Sequence, residues 1–151
     1  MFIRIGLGVI FLLGLLLAIT VYALFHGYFD HGLFEIKHVE WSSSPPRRVA
    51  VVAERSDNDA LGGYEFFVLI NDHIPSPTEL RFANHSDDVI FSGASDCLSV
   101  SWVDSHHLVI SCRNGAIDSA HINVRKERAD GVAVTYVNIS NSTAKEFKPS
   151  L

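Results

Sequence analysis

Leu98-Ser99-Val100-Ser101-Trp102-Val103-Asp104-Ser105-His106-His107-Leu108-Val109-Ile110-Ser111-Cys112 decides the fold class. Leu98, Val100 and Trp102 alternate with Ser99, Ser101 and Val103, the period of two expected of a half-buried strand. Beyond Asp104-Ser105-His106, the residues Leu108, Ile110 and Cys112 alternate with His107, Val109 and Ser111. A three-residue loop sets Leu98, Val100 and Trp102 on the same face as Cys112, Ile110 and Leu108, which predicts a hairpin with one apolar face.

Strand signals continue on both sides of this hairpin. Upstream, Ser42-Ser43-Ser44-Pro45-Pro46 marks a turn, because two prolines fix φ and remove two donors. Val49 to Ala53, Tyr64 to Ile70 and Val89-Ile90-Phe91 are short apolar runs separated by Ser56-Asp57-Asn58-Asp59 and by Asn71-Asp72 with Pro75 and Pro77. Downstream, Asn114-Gly115 turns the chain toward Ala120, Ile122 and Val124. Gly131 then precedes a last strand with Val132, Val134 and Tyr136 on one face. No segment after residue 40 carries a 3.6-residue apolar stripe. The expectation is therefore a mainly β domain of six or seven strands over residues 45–140, an antiparallel sheet or small sandwich, with a polar tail at 141–151. Trp102, Tyr64, Phe66 and Phe67 are expected in its core, and as contact residues only where exposed.

The N-terminus reads differently. Ile5 to Phe25 holds 21 residues without a charge. As a helix it reaches about 31 Å, matching a hydrocarbon core of about 30 Å. Residues 1–28 thus read as a transmembrane signal anchor in contact with lipid, and residues 29–44 as a connector. Tyr22, Tyr28 and Phe29 sit where interfacial aromatics gather. Cleavage after Ala23 is the competing reading, but the run exceeds the 7–15 residues of a signal-peptide core. The implied address is a bacterial inner membrane, single pass, with the C-terminal domain in the periplasm.

Composition excludes other classes. The 151 residues carry 12 basic and 17 acidic side chains, a net of −5. With a pI near 5.8, they lack the basic patch of a nucleic-acid binder. Residues 54–104 concentrate the acid, ten carboxylates against Arg55 and Arg81. Asp57, Asp59, Asp87 and Asp88 form a candidate acidic contact patch. Two cysteines are too few for a disulfide scaffold. For Cys97 and Cys112 two readings stand, a disulfide or two buried thiols. The apolar register puts Cys112 on the face of Leu98 and Cys97 on the other; a two-residue turn at Asp104-Ser105 would set the cysteines opposite but mix the faces, and a bulge near Cys97 would reconcile the two. Eight histidines show no ligand spacing, since His106 and His107 on one strand point to opposite faces. No metal, cofactor or catalytic residue is assigned.

Ser44-Pro45-Pro46-Arg47-Arg48-Val49-Ala50-Val51-Val52, Gly62-Gly63-Tyr64, Val100-Ser101-Trp102-Val103-Asp104, Leu108-Val109-Ile110 and Gly131-Val132-Ala133-Val134-Thr135-Tyr136 follow one another in this order. The series resembles a loose group of uncharacterised bacterial envelope proteins, anchored by a lipid or a helix, with a Ser-Pro turn and a Trp-x-Asp hairpin. Pro46-Arg47 stands here where that group has Asp-Gly. The resemblance implies an envelope location and a β fold, and it carries no activity. The function expected is binding, as an accessory or assembly module with an envelope protein partner. Alternatives are an immunity-type protein that neutralises an envelope-acting toxin through its acidic stretch and, less favoured, an enzyme such as a hydrolase.

Overall fold

Alternation from Leu98 to Cys112 builds a hairpin with the expected apolar pairs. Leu98 faces Cys112, Val100 faces Ile110 and Trp102 faces Leu108 across β5 (Leu98–Asp104) and β6 (His107–Cys112). The turn itself differs from the expected three-residue loop. Asp104 pairs with His107 around Ser105-His106, and a bulge at Val103 restores the apolar register.

The computed structural model describes residues 2–25, 32–57, 63–113 and 115–140, with side chains in the N-terminal helix described for residues 11–24. Its other elements are α1 (Phe2–Phe25), β1 (Leu33–Trp41), β2 (Val49–Ser56), β3 (Tyr64–Asn71), α2 (Pro77–Asn84) and β4 (Val89–Gly93). They continue with a 3₁₀ turn (Ser119–His121), β7 (Ile122–Arg125), β8 (Arg128–Ala129) and β9 (Val132–Val137). Gly62, Asp59, Asn114, Tyr28, Phe29 and the expected polar tail at 141–151 lie outside the described residues.

The strands form two sheets. The first runs β1-β2-β3-β4-β7, antiparallel throughout. The second runs β5-β6-β9-β8 and is mixed, because β9 pairs with β6 in parallel. The purely antiparallel expectation is corrected here. A parallel neighbour requires a crossover, and the chain makes it by visiting the first sheet as β7. It returns through β8 and a tight turn at Asp130 and Gly131, both at positive φ (50° and 75°).

Two further expectations give way. Most of the stretch read as a connector is strand β1, whose residues from Leu33 to Trp41 pair with β2 around the loop at residues 42–48. Its alternation of Phe34 and Ile36 is broken by a bulge between Ile36 and His38, which hides the period of two. The Pro75/Pro77 segment opens a helix rather than a loop. Ser76 caps α2, with Pro77 in the first turn and a reciprocal Ser76–Glu79 capping box. Eight residues make two turns, too short to show a stripe, and only Leu80 is buried.

Packing explains why the Val49–Ala53 run is apolar without alternation. Ala50 and Val52 join Phe66, Val68, Ile90, Val100, Leu108, Ile110, Val132 and Val134 in the core between the sheets. Ala53, Phe67, Leu69 and Val89 face the other way, where Leu80 of α2 closes over them. The central strands of the first sheet are thus covered on both sides, as continuous apolar runs require. Phe66 and Phe67 are core residues as expected, but Tyr64 is 64% exposed.

α1 is helical from Phe2 to Phe25. Among the described residues, however, no helix is long and apolar enough to cross a membrane. The span expected over Ile5–Phe25 is therefore not supported by the described structure, and the side chains of Ile5 and Phe25 lie outside it.

Candidate functional site

Register brings together residues that sequence spacing keeps apart. Glu54 on β2 pairs with Phe66 on β3, and Tyr64 lies two positions further along. The loop after β4 brings Ala94, Ser95 and Asp96 alongside, and together these line a cleft of about 580 Å³. Its chemistry is two carboxylates, an exposed phenol ring and a buried phenyl ring. Lys37 on β1 reaches Glu54 at 2.8 Å and Glu35 at 2.6 Å. The Glu35 bond, then the Glu54 bond, holds the Lys37 ammonium above its usual range.

The disulfide follows the cleft's last lining residue, Asp96, directly in the chain. Cys97 and Cys112 are bonded, with Cα atoms 4.8 Å apart. Arg113 N–H donates to the Cys97 carbonyl at 3.1 Å, so the backbone register continues to a Cys97–Arg113 pair and the bond runs diagonally. Cys97 lies in the turn before β5, free of strand alternation. That freedom, and not the expected bulge beside it, lets its side chain reach Cys112. Ser95 Oγ lies 3.0 Å from Cys97 Sγ.

The four aspartates expected as one acidic patch are not brought together. Asp57 follows the C-terminal end of β2, where Arg55 pairs with it at 2.8 Å. Asp87 and Asp88 precede β4 at the opposite end of the first sheet, and Asp59 lies outside the described residues. The length of β2 separates the two ends by roughly 23 Å. Asp88 accepts from Ser86 Oγ at 2.7 Å, and Lys126 Nζ donates to the Asp87 carbonyl.

Further features lie elsewhere on the described surface. A cleft of about 490 Å³ is lined by Ile117, Asp118, Tyr136 and Asn138 among others. Burial pushes the Tyr136 hydroxyl up to about 12, against the opposing pull of Arg125. That hydroxyl donates to the Lys126 carbonyl at 2.5 Å, and the Arg125 guanidinium stacks 4.0 Å over the ring. It therefore ties the β7–β8 corner to β9. A third cleft of about 570 Å³ includes Tyr22 of α1 with Asn71, Glu79 and Asp88. His107 Nε2 bonds Thr135 Oγ1 at 2.7 Å and His106 Nδ1 bonds Ser105 Oγ at 2.9 Å. Among the described residues no group of three histidine, cysteine or acidic side chains is arranged to hold a metal. His26 and His31 lie outside those residues.

Glu54 and Asp96 were not legible as site residues. The only sequence signal was acid placed at a strand end and in a short turn, and such residues are ordinarily solvated. Comparison with protein-family models, curated proteins and solved structures finds no match to this chain.

Proposed function

We propose that this chain is a membrane-anchored envelope protein whose β-domain serves as a binding or accessory module. The observation that carries the reading is the exposed apolar surface of α1 between Phe11 and Ile19. Phe11 is 75% and Leu17 67% exposed, and among the described residues neither core cluster includes a residue of α1. A contiguous apolar surface of this kind seeks a cover. The uncharged run from Ile5 to Phe25 suits lipid as that cover. The Cys97–Cys112 bond supports an oxidising compartment for the domain.

Within the domain, the cleft of Glu54, Tyr64, Phe66 and Asp96 is the place for a ligand. The exposed Tyr64 ring beside the Asp96 carboxylate suits a cationic group, such as a basic side chain of a partner protein, with Glu54 already paired to Lys37.

The test expresses the full chain in bacteria and treats spheroplasts with protease and a thiol reagent. Digestion of the domain from outside, with thiols that label only after reduction, is the expected result. Thiols that label without reduction on a domain the protease cannot reach would overturn it.

A further inference from the structure

Between β3 and α2 a single imidazole is held by two carboxylates. His73 Nδ1 lies 2.6 Å from Asp72 Oδ1, and His73 Nε2 lies 3.0 Å from Glu79 Oε1. Ionised carboxylates only accept hydrogen bonds, and a neutral imidazole has one N–H to give. Both contacts together therefore require the imidazolium. In the neutral ring one nitrogen turns a lone pair on a carboxylate oxygen, so the ring rotates or one carboxylate swings away.

Glu79 has a second duty. Its Oε2 accepts from the Ser76 N–H at 2.7 Å, and its own N–H donates to Ser76 Oγ at 3.3 Å, closing the capping box of α2. The next residue, Leu80, is 1% exposed and seals the outer apolar face of the first sheet. One carboxylate thus joins the histidine to the start of the helix that covers this face.

We propose that Asp72, His73 and Glu79 form a proton-operated clasp that fastens α2 over the first sheet, closed while His73 is protonated and loosened when it is neutral. The clasp operates whatever the domain binds. Hydrogen bonds from Asp72 first, then Glu79, raise the His73 affinity for its proton. An imidazolium near the positive end of α2 opposes the helix dipole, and the two carboxylates offset it. All three side chains are solvent-exposed, so screening keeps the effect small.

Other charges border the clasp. Tyr22 of α1 and Asp88 line the cleft that Glu79 shares, and Arg81 and His85 stand at the far end of α2. On β1, Lys37 is engaged by Glu35 and Glu54, and His38 lies 3.9 Å from Glu40. His38 is therefore the histidine to control for.

The sign follows from the two directions of shift. A raised His73 keeps the clasp fully closed below its unperturbed 6.5 and releases it as pH climbs through the folded value. Glu79, lowered from 4.5 to about 2 mainly by the Ser76 N–H, opens it again only as pH falls through that lower range.

The experiment follows the full chain in detergent micelles by NMR between pH 5 and 9. It reads the His73 ring nitrogens and the exchange of α2 amides, corrected for intrinsic rate and normalised to β2 amides. His73 is expected to titrate above 6.5, and α2 protection to fall roughly two- to fivefold along the same curve. Glu79→Gln retains a side-chain acceptor for the Ser76 N–H. In it and in His73→Gln the pH dependence of α2 should vanish, while His38→Gln should leave it intact. Protection that stays flat through the His73 titration, or pH dependence that survives in His73→Gln, overturns the clasp. Normalising to β2 separates local loosening from a variant that is simply less stable.

Discussion

Trp102 Nε1 donates to the backbone carbonyl of Glu40 at 3.0 Å. The bond joins β5 of one sheet to β1 of the other, across 62 residues of sequence, where both strands are sheet edges. Apolar packing holds the sheets together, but packing alone is tolerant of sliding. A directional bond at the open edge sets how the two edges meet.

Trp102→Phe keeps an aromatic ring against the core and removes the donor. It should lower stability by about 1 kcal/mol, the net worth of one hydrogen bond. Chemical denaturation of the full chain in detergent, followed by near-ultraviolet circular dichroism, measures it. A loss confined to Trp102→Ala, with Trp102→Phe unchanged, would assign the role to ring packing instead.

Reduction of the Cys97–Cys112 bond opens a loop of sequence separation 15. The chain-entropy argument puts its contribution at about 3 kcal/mol. The double variant Cys97→Ala/Cys112→Ala should melt well below the parent without reductant. Addition of reductant should lower the parent's melting temperature and leave the variant's unmoved.

Gly93 ends β4 against the 3₁₀ turn. A Cβ there would meet the His121 carbonyl oxygen at 2.5 Å, and Ala94 N–H donates to that same oxygen at 3.1 Å. The atom met is backbone, fixed by that hydrogen bond, and leaves little room to yield. Gly93→Ala should cost about 1–3 kcal/mol and speed amide exchange in β7. Gly63, whose added Cβ meets nothing within 4 Å, serves as the control, since Gly63→Ala should be close to neutral.

The acid limb of stability should depend on the cap of α2. The Ser76 N–H holds the Glu79 carboxylate down to about 2, against an ordinary 4.5. Its contribution is present above pH 4.5 and is lost as pH falls toward 2. Ser76→Ala should cost about 1 kcal/mol near neutrality through the lost bond to the Glu79 N–H. Glu79→Gln should flatten the fall in α2 protection between pH 4.5 and 2. An unchanged acid limb in Glu79→Gln would show that other carboxylates govern it.

Local alternation was enough to reveal the β5–β6 hairpin, down to its Leu98–Cys112 pairing, because a period of two shows which side chains share a face. The mainly β character followed from the same signal, and the candidate disulfide from two cysteines at the ends of one hairpin. Tertiary structure decided the rest. The parallel pairing of β9 with β6 arises from a crossover through the other sheet, and no local pattern encodes a neighbour chosen at that distance. β1 was hidden by its bulge, and α2 is a two-turn helix whose capping box, Ser76-Pro77-Thr78-Glu79, was its one legible mark. The cleft of Glu54, Tyr64 and Asp96 exists only because strand register and a turn set them side by side. Hydrophobic periodicity records which way each residue faces, and sites are made by which elements meet.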